Sequence, residues 1–280
     1  MLLVSIGVLI IFLIMGFSPT NAAFKALVVL LILSMLKKDT RLSFKDIIDA
    51  LEKGARDILG VAAATACAGI IIGVLTLTGL AVKLSSMIIQ LSGGNLFILL
   101  FLAMIVSIIL GMGLPTAACY VLLAALVVPA LIEFGVPVLA AHLFVFFFGV
   151  ISAITPPVAL AAYTAAGIAE SNPMSVGVNA FKIGAVAFFV PYVGVYNPAF
   201  ILDGSFLQVI KVVMTSLVGC SALVFCVQGY LFKKLSLPMR FLLLISALTL
   251  IDPKLTTDFI GIAIYAIVVL FQKFIQNSSN

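Results

Sequence analysis

Long apolar runs alternate with short polar segments along this 280-residue chain. The first two runs cover residues 2–17 and 22–36, and the turn-forming residues 18–21 separate them. Later runs cover residues 58–82, 96–110, 117–132, 138–169, 183–199 and 206–232. A helix needs about 20 consecutive apolar residues to cross a bilayer. The pattern therefore predicts an all-α polytopic membrane protein.

Two short apolar runs follow near the C-terminus, over residues 241–251 and 259–271. The sequence Asp252-Pro253-Lys254 separates them. Each run is too short to span a bilayer. We expect two half-spans or two interfacial helices there.

A polar segment over residues 37–57 carries six Lys or Arg and five Asp or Glu. Its apolar residues recur at the i, i+3, i+4 and i+7 positions of a helix, namely Phe44, Ile47, Ile48 and Leu51. Ser43 is a possible N-cap. This pattern predicts an amphipathic helix on the membrane surface, separate from the span that follows. Its basic residues predict the cytoplasmic side.

The distribution of positive charge favours one interpretation of residues 138–169. If they form one broken span, Lys182 and the basic residues 233–240 fall in the cytoplasm, and Asp203 falls outside. Two spans would put residues 233–240 outside the cytoplasm. For residues 96–132, charge does not separate a re-entrant hairpin from two full spans. The short first arm of 15 residues favours a hairpin, with its mouth on the periplasmic side.

The first of two breaks in the apolar runs consists of Gly111, Met112, Gly113, Leu114, Pro115 and Thr116. Glycine releases the backbone from helical geometry, and proline blocks helix continuation. Unwound backbone at membrane depth persists only where it is buried or lines a cavity. The break therefore indicates a binding site, although a simple Gly/Pro loop between two spans would have the same composition.

The second break consists of Ser152, Ala153, Ile154, Thr155, Pro156 and Pro157. Proline is tolerated in the first turn of a helix, so we expect Pro157 to open the second half-helix. The alternative is a simple proline kink. Paired broken helices indicate the midplane site of a secondary transporter. The candidate cation ligands are Gly111, Thr116, Ser152 and Thr155, because carbonyl and hydroxyl oxygens suit a hard cation.

Composition narrows the function further. The chain is 64% hydrophobic and 9% charged, whereas soluble domains carry about 25% charged residues. Its net charge of +5 comes from loop residues and does not indicate nucleic-acid binding. The four cysteines lack metal-site spacing, and no phosphate-binding loop is present. Without a nucleophile–base pair or a metal cluster, we expect no enzyme and no cofactor other than a coupling ion.

Several motifs in order resemble the large membrane subunit of tripartite ATP-independent periplasmic (TRAP) transporters, especially the type fused to the small subunit. They are Gly-Met-Gly-Leu-Pro-Thr at 111–116, Ala-His-Leu-Phe-Val-Phe at 141–146, Ile-Thr-Pro-Pro-Val-Ala-Leu-Ala-Ala-Tyr at 154–163, Ala-Ala-Gly-Ile-Ala at 165–169 and Val-Tyr-Asn-Pro-Ala at 195–199. The resemblance covers roughly residues 1–202. The remainder resembles the variable C-terminal extension of such subunits.

The resemblance implies a Na⁺-driven elevator of the bacterial inner membrane, built from two inverted repeats. Each repeat has a re-entrant hairpin and a discontinuous helix, and a periplasmic binding protein delivers the solute, often an organic acid. It implies scaffold helices and an arm helix over residues 1–56, half of a transport domain over 57–200, and a C-terminal membrane extension over 201–280. Residues 111–116 would be the hairpin tip, and residues 152–157 the unwound part of the broken helix.

One departure from the family concerns the start of the chain, which resembles the middle of a family member. We therefore expect the chain to be a fragment, the product of a truncated reading frame or one half of a split transporter. On each of these alternatives it would need a partner carrying the remaining permease half and the small membrane subunit, and would be inert by itself. From the residues alone, another ion-coupled anion carrier and a channel-like pore stay open as alternatives. A pore would be expected to show a ring of acidic residues or a repeated filter motif.

Overall fold

Helices make up most of the described chain. The computed structural model describes residues 2–36 and 41–277, so the start of the predicted basic segment, residues 37–40, lies outside the described residues. Within the described ranges, five helical stretches are long and apolar enough to cross a membrane. These stretches are Pro19–Leu36, Phe44–Leu77, Pro173–Tyr196, Phe206–Gln228 and Leu255–Phe274. The prediction of an all-α polytopic membrane protein is confirmed.

The chain divides into two compact units, Met1–Ala62 and Ala63–Asn280. In the first unit, α1 (Leu2–Ile14) packs against α2 (Pro19–Leu36) through small residues of α2. The ammonium of Lys25 lies 3.3 Å from the ring centroid of Phe17 and 4.4 Å from that of Phe12. Cation–π contacts of this kind hold a lysine within an otherwise apolar helix.

The predicted surface helix and the span after it form one continuous helix, α3 (Phe44–Leu77), of 34 residues. Our expectation of two separate elements is therefore wrong. Ser43 caps α3 as expected: its hydroxyl accepts from Asp46 N, while Asp46 Oδ2 accepts from Ser43 Oγ and Ser43 N at 2.7 Å each.

The second unit contains a helical hairpin preceded by α4 (Leu80–Ser92). Its first arm is α5 (Leu96–Gly111), which Asn95 caps by accepting from the amides of Phe97 and Ile98. The second arm is divided into α6 (Thr116–Leu126) and α7 (Val128–Glu133). With 16 residues, α5 is about 24 Å long, less than the roughly 30 Å of a hydrocarbon core. This length favours the re-entrant interpretation.

A broken helix follows the hairpin as α8 (Val138–Ile151), a 3₁₀ turn over Ser152–Ile154, and α9 (Leu160–Ile168). Next come α10 (Pro173–Ile183), a 3₁₀ segment over Gly184–Phe188, and α11 (Val190–Tyr196). Together these last three form a candidate span from Pro173. The predicted span over residues 183–199 therefore began ten residues too late, and Lys182 lies within a helix rather than in a loop.

Three helices complete the chain: α12 (Phe206–Gln228), α13 (Leu237–Thr249) and α14 (Leu255–Asn277). A capping box between Ser205 and Gln208 begins α12, as the two side chains and backbone amides hydrogen-bond reciprocally. Residues 255–274 of α14 are sufficient for a full span. The expectation of a half-span or an interfacial helix there is wrong.

Aromatic side chains join the hairpin, the broken helix and α11 into one core. Phe144 and Phe148 of α8 are fully buried, with ring centroids 4.8 Å apart. Tyr192 of α11 lies edge-on to both, with centroid distances of 5.4 and 6.1 Å, and Phe97 of α5 completes the cluster at 5.8 Å from Tyr192. Edge-to-face pairs add to the stabilisation from apolar burial. This cluster holds the elements that carry the two breaks.

An ion pair connects α12 with α14. Lys211 Nζ lies 2.7 Å from Asp258 Oδ2, and it also donates to the carbonyl of Pro253 at 3.3 Å. The Asp258 side chain is 8% exposed, so Lys211 is the cation that lies against this buried side chain. Removing one member of a buried ion pair leaves the other charge uncompensated.

We expect Lys211→Met to lower the free energy of unfolding by about 3 kcal/mol, because it isolates the Asp258 carboxylate. The double variant Lys211→Met/Asp258→Leu should recover most of that loss. Arg56→Gln is the control, since it removes an exposed ion pair with Glu52 and should cost less than about 1 kcal/mol. Denaturation in detergent, followed by circular dichroism, measures all three. A Lys211→Met variant as stable as the control would contradict this expectation.

We also expect Glu133 and Ser236 to face opposite sides of the membrane, with Ser236 in the cytoplasm. The reason is the clustering of Lys233, Lys234 and Arg240 around Ser236. Single cysteines at positions 133 and 236, in a variant lacking the four native cysteines, can be labelled in intact cells with an impermeant thiol reagent. Labelling at 133 alone is the expected result, and labelling at 236 alone would reverse the orientation.

Candidate functional site

The first break separates α5 from α6 by four residues. Gly111 ends α5, Met112 is extended, and Gly113 has a φ of +79°. Pro115 precedes α6 in an extended conformation. The positive φ at Gly113 favours glycine, since other residues rarely adopt it. The glycines and the proline therefore break the helix at the position that the sequence predicts.

The second break is longer than expected. After the 3₁₀ turn over Ser152–Ile154, Thr155 is extended, and Ala159 takes a left-handed conformation with a φ of +34°. The second half-helix begins at Leu160. The expectation that Pro157 opens it is therefore wrong by three residues. Instead, the unwound segment includes both prolines and continues to Ala159.

The two breaks lie against each other. A Cβ atom added to Gly111 would lie 2.8 Å from Ser152 Oγ and 3.3 Å from the Cα of Gly149. A Cβ atom added to Gly149 would lie 2.8 Å from the sulfur of Cys119, which belongs to α6. The structure thus brings together the C-terminal ends of α5 and α8, with Gly111 and Ser152 in contact. Sequence reasoning did not identify Gly149 or Cys119 as part of this arrangement.

The hydroxyls of the second break are buried and oriented by their own helix. Ser152 is 2% exposed and donates to the carbonyl of Gly149 at 2.6 Å. Thr155 is 8% exposed and donates to the carbonyl of Ile151 at 2.8 Å. A hydroxyl that donates once still has two lone pairs for an acceptor or ligand role. Both oxygens can therefore coordinate a cation.

The remaining candidate residues are less enclosed. Gly113, Thr116 and Pro157 are exposed, and the other four are half-buried, namely Met112, Pro115, Ala153 and Pro156. Thr116 stands at the start of α6, on the far side of the first break from Gly111. The ten candidates therefore divide into three buried residues, Gly111, Ser152 and Thr155, and seven residues that are partly or fully exposed.

Helices α9 and α10 hold the second break from the other side. Tyr163 Oη donates to the carbonyl of Pro157 at 2.6 Å. A Cβ atom on Gly177 of α10 would lie 3.1 Å from Tyr163 Cε1 and 3.5 Å from Pro156 Cγ. Sequence reasoning missed Tyr163 and Gly177. A small residue in a helix near paired prolines is the signal that could have indicated this close packing.

Ser107 is a further polar group near the first break that sequence reasoning missed. It is fully buried in α5, and its hydroxyl has no hydrogen-bond partner among the residues described. It lies four residues before Gly111, so both occupy one face of α5. An unsatisfied buried hydroxyl costs about 1–3 kcal/mol. Such a group is a candidate ligand for an ion or a water molecule.

His142 has a structural partner. Its Nδ1 lies 3.0 Å from Tyr120 Oη, and the two rings are tilted against each other.

Across residues 2–36 and 41–277, no three His, Cys, Asp or Glu side chains are grouped to hold a metal ion.

A model of the family described as "Tripartite ATP-independent periplasmic transporter, DctM component" matches residues 1–209, which include both breaks. The chain belongs to this family. No curated protein and no solved structure matches it. The family consists of transporter components rather than enzymes, and family membership confirms the resemblance to a TRAP permease. Most of α12 and all of α13 and α14 lie beyond the matched residues of this DctM-family chain.

We expect Gly149→Ala to destabilise the contact between the breaks by about 1–3 kcal/mol, because the added methyl group would overlap Cys119 Sγ. Cys119→Ala removes that sulfur, so the double variant should regain part of the lost stability. Gly167→Ala is the control, since its Cβ would meet nothing within 4 Å. Thermal denaturation in detergent measures the three effects. Equal melting temperatures for Gly149→Ala and Gly167→Ala would refute the close contact.

Proposed function

We propose that this DctM-family chain is the part of a Na⁺-driven TRAP permease that binds the coupling ion and a small organic anion. It would act in the bacterial inner membrane together with the remaining permease segments, a small membrane subunit and a periplasmic solute-binding protein. The single observation that carries the proposal is the contact between the two breaks, where Gly111 meets Ser152.

The contact supports a cation site because two helix C-termini converge there. Gly111 ends α5, and Ile151 ends α8 just before Ser152. Each helix C-terminus carries roughly half a negative charge on its free carbonyl groups. Carbonyls of unwound segments and half-helix C-termini are the groups that coordinate Na⁺ in broken-helix transporters. Opposed C-termini in an apolar core therefore favour a bound cation.

The proposed Na⁺ ligands are the oxygens of Gly111, Ser152 and Thr155, with Thr116 as the fourth candidate. Ser152 and Thr155 are buried and keep free lone pairs. The unpaired hydroxyl of Ser107, one turn before Gly111, is a further oxygen on the same face of α5. The surrounding core consists largely of apolar and aromatic side chains, which strengthens the attraction between the oxygens and a cation.

The organic anion would bind on the open side of the breaks. The half-helix α6 begins at Thr116, where its free amide groups and its positive dipole end favour a negative charge. The proposed solute surface consists of the more exposed break residues, namely Met112, Gly113, Pro115, Ala153, Pro156 and Pro157. Na⁺ and the anion would then occupy adjacent sites, one that favours positive charge and one that favours negative charge. Because the two ions attract each other, the binding of one would strengthen the binding of the other.

We expect Thr155→Val in the complete transporter to raise the Na⁺ concentration for half-maximal uptake by about 10- to 100-fold, because one oxygen ligand is lost. Thr164→Val is a matched control. Thr164 also donates to the carbonyl four residues earlier, at 2.9 Å, but it is exposed on α9, outside the break. Uptake of a labelled organic acid into proteoliposomes, with the binding protein present, is measured against Na⁺ concentration.

The control should leave the Na⁺ dependence within about twofold of the original. If Thr155→Val and Thr164→Val give the same Na⁺ curve as the unmodified transporter, Thr155 is not a ligand. Uptake that does not depend on Na⁺, or that fails to saturate with solute, would refute the proposed coupled carrier.

A further inference from the structure

Two adjoining cavities lie in the second unit, beside the N-terminal end of α5 and the C-terminal ends of α11 and α13. One has a volume of about 240 Å³ and is almost entirely apolar; Phe101, Met104 and Ala247 contribute to its lining. The other has a volume of about 490 Å³ and reaches the loop between α13 and α14. They share three lining residues, Phe97, Leu248 and Ile251.

The apolar cavity opens toward the outer surface of the helices. Phe97, Phe101 and Leu248 line it and are all exposed, whereas Ala247 at its floor is buried. A flexible apolar chain that enters this cavity would gain dispersion contacts with its apolar lining residues, and these contacts would stabilise the bound chain. For a membrane-spanning protein, the acyl chain of a phospholipid is the apolar chain available on that surface.

The mouth of the larger cavity carries one charge of each sign. Asp252 and Lys254 both line it, and Lys254 Nζ lies 3.2 Å from Asp252 Oδ2. Tyr196 is a third polar residue at this mouth. The nearby Lys211 is already paired with Asp258. A purely anionic group near Lys254 would therefore also meet the carboxylate of Asp252, which opposes its binding.

We propose that these cavities bind one phospholipid with a zwitterionic ethanolamine headgroup. Its acyl chain would occupy the apolar cavity, its phosphate would contact Lys254, and its ammonium would donate to Asp252. The alternation of charges in such a headgroup matches the Asp252–Lys254 pair, and charge-assisted hydrogen bonds from the ammonium require N–H donors. A choline headgroup lacks these donors. This site is separate from the breaks and does not depend on the proposed transport activity.

The test uses the purified full chain, stripped of lipid in detergent and titrated separately with phosphatidylethanolamine, phosphatidylcholine and phosphatidylglycerol of identical acyl chains. Native mass spectrometry measures the occupancy of a single lipid. We expect the ethanolamine lipid to bind about tenfold more tightly than the choline lipid, as one charge-assisted hydrogen bond would give. The glycerol lipid should bind more weakly than the ethanolamine lipid.

Two variants assign the lipid to this site. Leu248 lines both cavities, so Leu248→Trp places a bulky ring where they adjoin and should strongly weaken single-lipid binding. Ile267→Trp, on an exposed position of α14 outside both cavities, should leave it unchanged. Asp252→Asn should reduce ethanolamine binding to the choline level without changing choline binding. Because Asp252 lies in a loop, this variant tests the proposal even if Leu248→Trp does not fold.

Three results would overturn the proposal. Equal lipid occupancy in Leu248→Trp and Ile267→Trp, both folded by circular dichroism, would show that the bound lipid is ordinary annular lipid. Tighter binding of the glycerol lipid than of the ethanolamine lipid would refute the headgroup assignment. An unchanged preference for ethanolamine in Asp252→Asn would also refute it.

Discussion

The structure depends on the contact between the C-terminal ends of two interrupted helices in an apolar environment. Hydrocarbon does not satisfy free N–H and C=O groups, so unwound chain at membrane depth must find partners or line a polar space. Here the end of α5 meets the end of α8 at Gly111 and Ser152. The aromatic cluster around Phe144, Phe148 and Tyr192 holds the helices that carry both ends. The proposed ion and solute sites follow from this one contact.

Local rules predict the breaks well. Glycine and proline act on their own backbone, so the breaks near residues 111–116 and 152–157 and the cap at Ser43 can be predicted from the sequence. The turn that we expected over residues 18–21 lies earlier, because Pro19 already begins α2. The boundaries of α3 and α10 were missed for the opposite reason. Charged residues such as Asp57 change the polarity of a helix without ending it: α3 continues through Asp57 to Leu77, and Lys182 lies in the last turn of α10. A change in the polarity of the sequence therefore predicts where a helix leaves the membrane, but it does not predict where the helix ends.

The packing of the breaks could not be predicted, because it depends on residues far apart in the sequence. Gly149 gives no local signal that distinguishes it from other glycines in apolar helices, yet it faces Cys119 of α6. In the sequence, Ser107 is a single hydroxyl residue within an apolar run. Only its burial without a hydrogen-bond partner, among the residues described, makes it a candidate ligand of an ion or a water molecule. Helices α12, α13 and α14 lie mostly beyond the family match. The ion pair between Lys211 and Asp258 connects α12 with α14, and the sequence does not show that these two residues meet.

The absence of side chains at Gly111 and Gly149 has a mechanical consequence. Cys119 Sγ lies beside both glycines, and Ser152 Oγ lies beside Gly111 and donates to the carbonyl of Gly149. The hairpin and the broken helix are therefore packed with their backbones close together. Close-packed surfaces of this kind do not slide by fractions of a side chain; they stay engaged or separate. Any motion that displaces the hairpin tip must therefore move the broken helix with it as one rigid body, or else pull the two apart and separate the oxygens of the proposed ion site.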